Sequence, residues 1–522
     1  MKRDLLLNKV KNNPNKIWDV IIIGGGATGL GSAVDAASRG YETLLVEQAD
    51  FAKGTSSRST KLVHGGVRYL AQGDLSLVFE ALHERGLLFR NAPHLVRNQK
   101  FIIPIYEWWE GPFYNIGMKV YDGMAGKLGI GPSEKISKEE TLRAIPNLDE
   151  NGLLGGVIYY DGQFDDSRLA VNLAQTAVEN GAVVLNYAKA VEFIKNDFGL
   201  LEGIIFEDVE SGEQHTVKGR TVVNAAGVFA DDVTKLDDPS ARRMIQPSQG
   251  VHIVLDNSFL QGDAAIMIPN TSDGRVLFAV PWHGKVIVGT TDTPIESHSL
   301  EPRALEEEIE FLISTSSKYL KKDPSRKDVQ SIFAGLRPLA APDGDKNTKE
   351  ISRKHMITVS RSGLITVTGG KWTTYRRMAE DVVNKAIQVG ALDEKECVTK
   401  HMAIHGYVKN IDFSKPFYYY GAERGKINEL IIADKNLSEK IHPDLPYLKA
   451  EIIWAVRNEM ARTVEDFLAR RVRALFLDAR TSIEAAPVVA EIMAAELNYD
   501  KNWVKQQIEE FNKLAQGYYL EL

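Results

Sequence analysis

From Ile17 to Ile23 the chain runs almost unbroken apolar (IWDVIII) and then stops at Gly24-Gly25-Gly26. Such a run bounded by glycines predicts a strand buried on both faces. Small apolar residues recur at Ala33, Ala36 and Ala37 with helical spacing, and a second apolar run from Thr43 to Val46 ends in Glu47. The first element is therefore a strand–turn–helix–strand unit. Residues 72–95 repeat the helical pattern (Leu75, Val78, Phe79, Leu82, Leu87, Leu88), and Phe101–Tyr106 reads as a strand of bulky residues. Trp108, Trp109, Phe113, Tyr114 and Tyr121 follow in a Gly-punctuated stretch whose aromatic density is expected to form packed core or a lid, the alternative being a membrane contact.

Gly155–Asp165 reads as a strand and turn entering a helix at Asp166–Asn180. Short apolar runs between Ala182 and Val223 predict a parallel strand, a small antiparallel excursion and a return to the sheet at Val222-Val223-Asn224-Ala225-Ala226-Gly227. Residues 245–335 hold further strands (Gly250–Leu255, Ala265–Ile268, Val276–Val280, Val286–Thr290) and a helical insertion, Leu305–Tyr319, and read as a mostly antiparallel second domain facing the substrate. The chain is expected to rejoin the first domain at Gly335-Leu336-Arg337-Pro338-Leu339. There the strand Gly363–Thr368 ends in Gly369-Gly370-Lys371, a second strand, double glycine and helix start. Beyond Cys397 strand signals fade, and Leu448–Glu459, Thr463–Leu477 and Ser482–Glu496 predict a separate helical domain.

This pattern divides the chain into a leader (1–16), a discontinuous dinucleotide-binding domain (17–95, 155–235 and 335–400), a substrate domain (96–154 and 236–334) and a helical domain (401–522). Composition adds exclusions. With 522 residues, 44% apolar and 25% charged, the chain is an ordinary globular protein, and a net charge of −7 without arginine-rich tracts argues against a nucleic-acid partner. One cysteine, Cys397, excludes an internal disulfide, and His64, His83, His94, His252, His283 and His355 lack ligand-type spacing, so no metal site is expected. No run is long and apolar enough for a spanning helix, and Met1–Lys16 is too polar for a secretory signal. That basic segment is expected to be a solvated leader, its alternative being to lie on an anionic membrane. Arg470, Arg471 and Arg473 fit either a basic surface or helix-face salt bridges.

Within the first unit Gly24, Gly26 and Gly29 satisfy G-x-G-x-x-G, which permits a tight turn, a close pyrophosphate and close helix packing, with Thr28 at the helix start where anions are favoured. Glu47, eighteen residues after Gly29, is placed for ribose hydroxyls and would repel a 2′-phosphate, so FAD or NAD is favoured over NADP. The hydroxyl-rich loop holding Thr55, Ser56, Ser59, Thr60, Lys61 and Leu62 suits the rest of a long dinucleotide, as do the small residues Ala225 and Gly227. A second helix start at Gly370, Lys371 and Thr373 would point at the same cofactor.

The fingerprint, Glu47 and the segment SSRSTKLVHGGVRYL (residues 56–70) resemble the D-amino-acid-oxidase-type flavoproteins and, more narrowly, the FAD-dependent glycerol-3-phosphate dehydrogenases, whose C-terminal domain VEDFLARRVR (464–473) also resembles. The resemblance implies an α/β fold: a Rossmann-like FAD-binding domain interleaved with an α+β substrate domain of mostly antiparallel sheet, plus a C-terminal all-helical domain. It implies non-covalent FAD and oxidation of sn-glycerol 3-phosphate to dihydroxyacetone phosphate in glycerol catabolism. The hydride would pass from C2 to flavin N5, and the electrons to a respiratory quinone. It further implies a homodimer, peripherally bound at the cytoplasmic, inner face of the cell membrane.

A phosphate dianion calls for converging cations and donors. The motif-borne candidates are Arg68, Tyr69, Arg337, Arg353 and Lys371. His252 lies opposite in pleat to Val251, Ile253 and Leu255 and is the preferred general base and a substrate contact, with Arg337 able to hold the developing alkoxide. Three rivals stand beside this reading. A glycerol-3-phosphate oxidase using O2 would typically carry an extra inserted segment, and no long insertion lies between Ala334 and Gly369. An amine or amino-acid oxidase of the same fold would need carboxylate recognition, and a scaffold with a structural cofactor would have little use for the cation set.

Overall fold

The computed structural model describes residues 1–66, 74–269, 271, 275–340 and 355–521. Five parallel strands form the first sheet, in the order Val183–Leu185, Thr43–Val46, Ile17–Ile23, Gln214–Asn224, Ile365–Thr368. Met356–Val359 adds an antiparallel edge, and Ala188–Lys195 with Leu201–Asp208 makes an antiparallel meander against the start of Gln214–Asn224. Helix Ala27–Ser38 lies between Asp166–Glu179 and Tyr375–Val389 on this sheet. Val20, Ile21 and Ile22 have no exposed surface, as the continuous apolar run requires.

Among the described residues the second sheet has ten strands, nearly all antiparallel, with one parallel pair between Ala265–Ile268 and Val96–Ile105. Two of its strands carry residues, 155–164 and 335–340, that the sequence pattern assigns to the dinucleotide-binding domain. Gly155–Phe164 pairs along its whole length with Val96–Ile105, and Ser331–Ala340 with Ile245–Asp256. Glycines and bulky residues in both segments fit either sheet, and only the long antiparallel registers, invisible in local periodicity, decide between them.

The N-terminal segment departs from a solvated leader. Arg3–Lys11 is a helix that buries Leu6, Leu7 and Val10, and Arg3 reaches Asp208 at 2.5 Å and the carbonyl of Tyr187 at 3.1 Å. The aromatic stretch forms one helix, Glu110–Ala125, split by face. Tyr114, Met118 and Tyr121 are buried, while Trp109, Phe113, Ile116 and Val120 are exposed and Trp108, just ahead of it, is 80% exposed. Core packing therefore accounts for one side of it only.

In the C-terminal domain, helices Lys449–Glu459, Ala479–Leu497 and Lys501–Ala515 surround a segment that is not one continuous helix. A wide turn, Asp466–Arg471, gives way to extended Val472 and the short helix Ala474–Leu477. Arg470, Arg471 and Arg473 lie here, and the basic-surface reading does not hold: all three are at most 2% exposed, wedged between this domain and the first, although Arg470 does pair with Asp466 four residues earlier, as the helix-face reading expects. Arg471 forks onto Asp50 at 2.7 and 2.8 Å and also donates to the carbonyl of Glu459. Arg470 reaches Asp50, Glu465 and Asp466, and Arg168 forks onto Glu459. Burial opposes the charge on Asp50, yet Arg471 and Arg470 hold its carboxyl down to about 2. Breaking such a buried pair leaves an uncompensated charge, so Arg471→Met is expected to destabilise the fold by about 3–5 kcal/mol in urea unfolding. Because Asp50 is shifted downward, its contribution persists above the ordinary carboxylate range and is lost as pH falls toward 2.

Candidate active site

A cavity of about 730 Å³ runs along the C-terminal ends of the parallel strands and under the second sheet. Its floor is the glycine turn. Gly24 has φ +116°, and a Cβ there would lie 2.5 Å from the carbonyl oxygen of Ala225. A Cβ at Gly29 would lie 1.9 Å from the carbonyl oxygen of Gly24. Gly29 thus packs the helix onto the strand and does not itself line the cavity, whereas Gly24, Gly26 and Thr28 do. The N-cap of helix Ala27–Ser38 is Gly26, which has no side chain to cap it; Ser56 Oγ accepts from the first amide, Ala27 N–H, at 2.9 Å, and Thr28, next in the first turn, lines the cavity. Glu47 closes this end. Its carboxylate accepts from the N–H of Gly25 at 2.6 Å and of Ala49 at 2.9 Å. Burial raises its pKa against those two hydrogen bonds.

Thr55, Ser56, Ser59, Thr60 and Leu62 line one wall, and Ala225, Gly227, Gly370, Lys371 and Thr373 the others. The walls are tied together. Trp372 Nε1 donates to the Ser56 carbonyl at 2.9 Å, and Thr55 Oγ1 to that of Leu336 at 2.5 Å. Lys61 departs from its expected place: it is fully buried behind the wall, 2.7 Å from Asp166, because its backbone turns left-handed (φ +63°) and sends the side chain inward.

His252 and Arg337 face the same cavity. His252 is 2% exposed, stacks on Phe333 with ring centres 4.9 Å apart, and puts Nε2 2.9 Å from Thr60 Oγ1. Its neighbours Val251, Ile253 and Leu255 belong to the core on the other face, as the pleat predicts. Gly289 opposite leaves room for the ring, since a Cβ there would sit 2.2 Å from its Cδ2. Burial first, then the charges of Lys61 and Arg337, push the imidazole well below the ordinary histidine value. It is neutral at physiological pH.

Arg337 is held by Thr290 Oγ1 at 3.1 Å, the Thr291 carbonyl at 3.0 Å and Asp292 at 3.3 Å, and Asp292 is bonded in turn by Ser248. Gly250 stands beside it, where a Cβ would meet Nη2 at 2.3 Å. The Thr290-Thr291-Asp292 bracket was missed in the sequence. Its signal is an apolar strand ending in Gly289 and three small polar residues. Arg68, Tyr69 and Arg353 lie outside the described residues.

The geometry fits FAD. The cavity has a glycine turn and helix N-terminus for a pyrophosphate, an acid for the ribose, and a polar end at His252 and Arg337.

Comparison with known proteins agrees with the geometry. Residues 19–376 match the family model "FAD dependent oxidoreductase", and residues 365–504 match "C-terminal domain of alpha-glycerophosphate oxidase". The mitochondrial glycerol-3-phosphate dehydrogenase of Schizosaccharomyces pombe is 39% identical over 95% of this chain and 87% of its own length. That of Homo sapiens is 39% identical, over 95% of this chain and 73% of its own length. The crystal structure of the glycerol-3-phosphate dehydrogenase from Bacillus halodurans, complexed with FAD, superposes with a TM-score of 0.81 at 30% identity, covering 99% of this chain and 97% of that one. With sequence, fold and cavity in agreement, this chain belongs to the FAD dependent oxidoreductase family, as one of its FAD-dependent glycerol-3-phosphate dehydrogenases.

Proposed function

We propose that the protein oxidises sn-glycerol 3-phosphate to dihydroxyacetone phosphate and delivers the electrons to a respiratory quinone at a membrane surface, in glycerol catabolism at the inner face of the cell membrane. The observation that carries the chemistry is the placement of neutral His252 and the bracketed guanidinium of Arg337 on one wall of the dinucleotide cavity. Bound FAD supplies the hydride acceptor. His252 Nε2 takes the proton of the C2 hydroxyl, a role that requires the tautomer with Nδ1 protonated and Nε2 accepting from the substrate hydroxyl alongside Thr60 Oγ1, which keeps the ring in place. Arg337, fixed by Thr290, Thr291 and Asp292, stabilises the oxygen as it loses that proton. Lys371, at the opposite glycine turn, contributes a cation for the phosphate, joined by Arg68, Tyr69 and Arg353.

The membrane component rests on helix Glu110–Ala125. Trp109, Phe113, Ile116 and Val120, with Trp108 ahead of them, present one continuous apolar face with Lys119 beside it. Tryptophan and aliphatic side chains next to lysine suit the headgroup boundary of an anionic bilayer. Replacing Trp108, Phe113 and Ile116 together by serine is expected to lower binding to anionic vesicles by more than about tenfold and leave turnover with a water-soluble acceptor within about twofold. Unchanged vesicle binding would remove this helix from the docking role.

Oxygen as acceptor is the second reading, favoured by the match of residues 365–504 to a domain of alpha-glycerophosphate oxidase. Reducing the enzyme with substrate and then adding air or a soluble quinone separates the two. Fast recovery of flavin absorbance with quinone and slow recovery in air is the expected result, and fast recovery in air would make the enzyme an oxidase.

A further inference from the structure

We propose that Arg473, Asp166 and Lys61 form a positioning triad through which the C-terminal helical domain fixes the turn Ser57–Thr60 and, by way of Thr60, the imidazole of His252. The inference rests on the reading of His252 as the general base.

The three side chains come from three parts of the chain and are at most 1% exposed. Most of their polar contacts converge on the same few loop atoms, while Arg473 Nη1 donates to the Ala469 carbonyl at 3.0 Å and Asp166 Oδ1 accepts from Ser167 N at 2.8 Å. The Ser57 carbonyl accepts from Lys61 Nζ at 2.7 Å and from Arg473 Nη2 at 2.7 Å. Asp166 Oδ2 accepts from Ser59 N at 3.1 Å, Ser59 Oγ at 2.7 Å and Lys61 Nζ at 2.7 Å, while its Oδ1 lies 3.4 Å from Arg473 Nη2. Ser59 Oγ in turn accepts from the N–H of Lys61 at 3.0 Å. Both sides of Thr60 are therefore pinned, and Thr60 Oγ1 sits 2.9 Å from His252 Nε2.

Aromatic faces surround the cations. Arg473 lies 4.3 Å from the ring centre of Phe476, and Lys61 lies 5.2 Å from that of Phe333, the ring on which His252 stacks. These contacts seat the cations against apolar rings. Burial also brings the Lys61 ammonium down to about 7 even beside Asp166. A buried cluster of this kind is a poor source of stability compared with apolar packing, and it is well suited to imposing one geometry. The left-handed backbone at Lys61 is consistent with that, a strained conformation held in place by its surroundings.

The test is a double-mutant cycle on FAD-saturated enzyme, reading kcat and KM for sn-glycerol 3-phosphate. Arg473→Met and Thr60→Val are each expected to lower kcat about tenfold with KM unchanged, and the double variant also about tenfold, because both break one linkage. Arg473→Lys, which keeps the charge and one donor for Ser57, is expected to recover part of the loss and carries the cycle should the methionine variant fail to fold. A double variant about a hundredfold slower, or full kcat in the Arg473 variants, overturns the positioning role. His252→Ala is the reference. Full flavin reduction in that variant overturns the base reading and the triad's role with it. A slow His252→Ala enzyme beside a fully active Arg473→Met enzyme overturns the triad alone.

Discussion

Gly29→Ala is expected to yield protein that retains less than about one-tenth of the wild-type FAD. The added Cβ would lie 1.9 Å from the carbonyl oxygen of Gly24, backbone against backbone, so no side-chain rotation relieves it. The helix start must move away from Ile17–Ile23, and with it the amides that face the pyrophosphate. Gly24 cannot yield in compensation, because it is itself held at φ +116° against Ala225. The measurement is the ratio of flavin to protein absorbance after gel filtration, with circular dichroism to show that the fold persists. Gly117→Ala serves as the control, since nothing lies within 4 Å of a Cβ there. Full FAD occupancy in Gly29→Ala would mean that the turn adjusts freely and that the fingerprint geometry is not what binds the dinucleotide.

His252→Ala is expected to slow flavin reduction by sn-glycerol 3-phosphate by a factor of about 10²–10⁴, the usual worth of a positioned base. The pH dependence carries independent information. A base is competent above its pKa, and that of His252 is pushed well below 6.5 by burial, Lys61 and Arg337. The acid limb of kcat/KM is therefore expected below the ordinary histidine range, with activity level through neutrality. Among the described residues, the charged groups that bear on the ring are Lys61 and Arg337, while Thr60, Phe333 and Gly289 around it are uncharged. Lys61→Met removes one of those charges and should shift the limb upward, toward 6.5. An unchanged reduction rate in His252→Ala removes it from the base role.

Much of this architecture was legible because it is local. The strand Ile17–Ile23, the glycine turn, the helix Ala27–Ser38 and the acid at Glu47 are specified by neighbours in sequence, and the second glycine turn at Gly369-Gly370 by the same pattern. The pleat likewise separates His252 from Val251 and Ile253. What escaped was set by distant partners. Gly155–Phe164 and Ser331–Ala340 chose the second sheet through registers with strands far along the chain. Lys61 sits in a run of cavity-lining residues yet points inward, because only the fold brings Asp166 and Arg473 behind it. The arginines at 470, 471 and 473 carry a surface-type signature in sequence, and their burial depends on Asp50 and Asp166, acids contributed from elsewhere. The bracket on Arg337 was hidden for the same reason: Thr290, Thr291 and Asp292 gain meaning only when Ser331–Ala340 lies beside Ile245–Asp256.

The most direct test is anaerobic visible absorption of the FAD-loaded protein before and after addition of sn-glycerol 3-phosphate, in the wild type and in Arg337→Met. Rapid bleaching of the flavin band in the wild type, with reduction at least about a hundredfold slower in the variant, is the predicted result. No bleaching of the wild type, or bleaching by amino acids in place of the phosphate ester, would contradict the proposed activity.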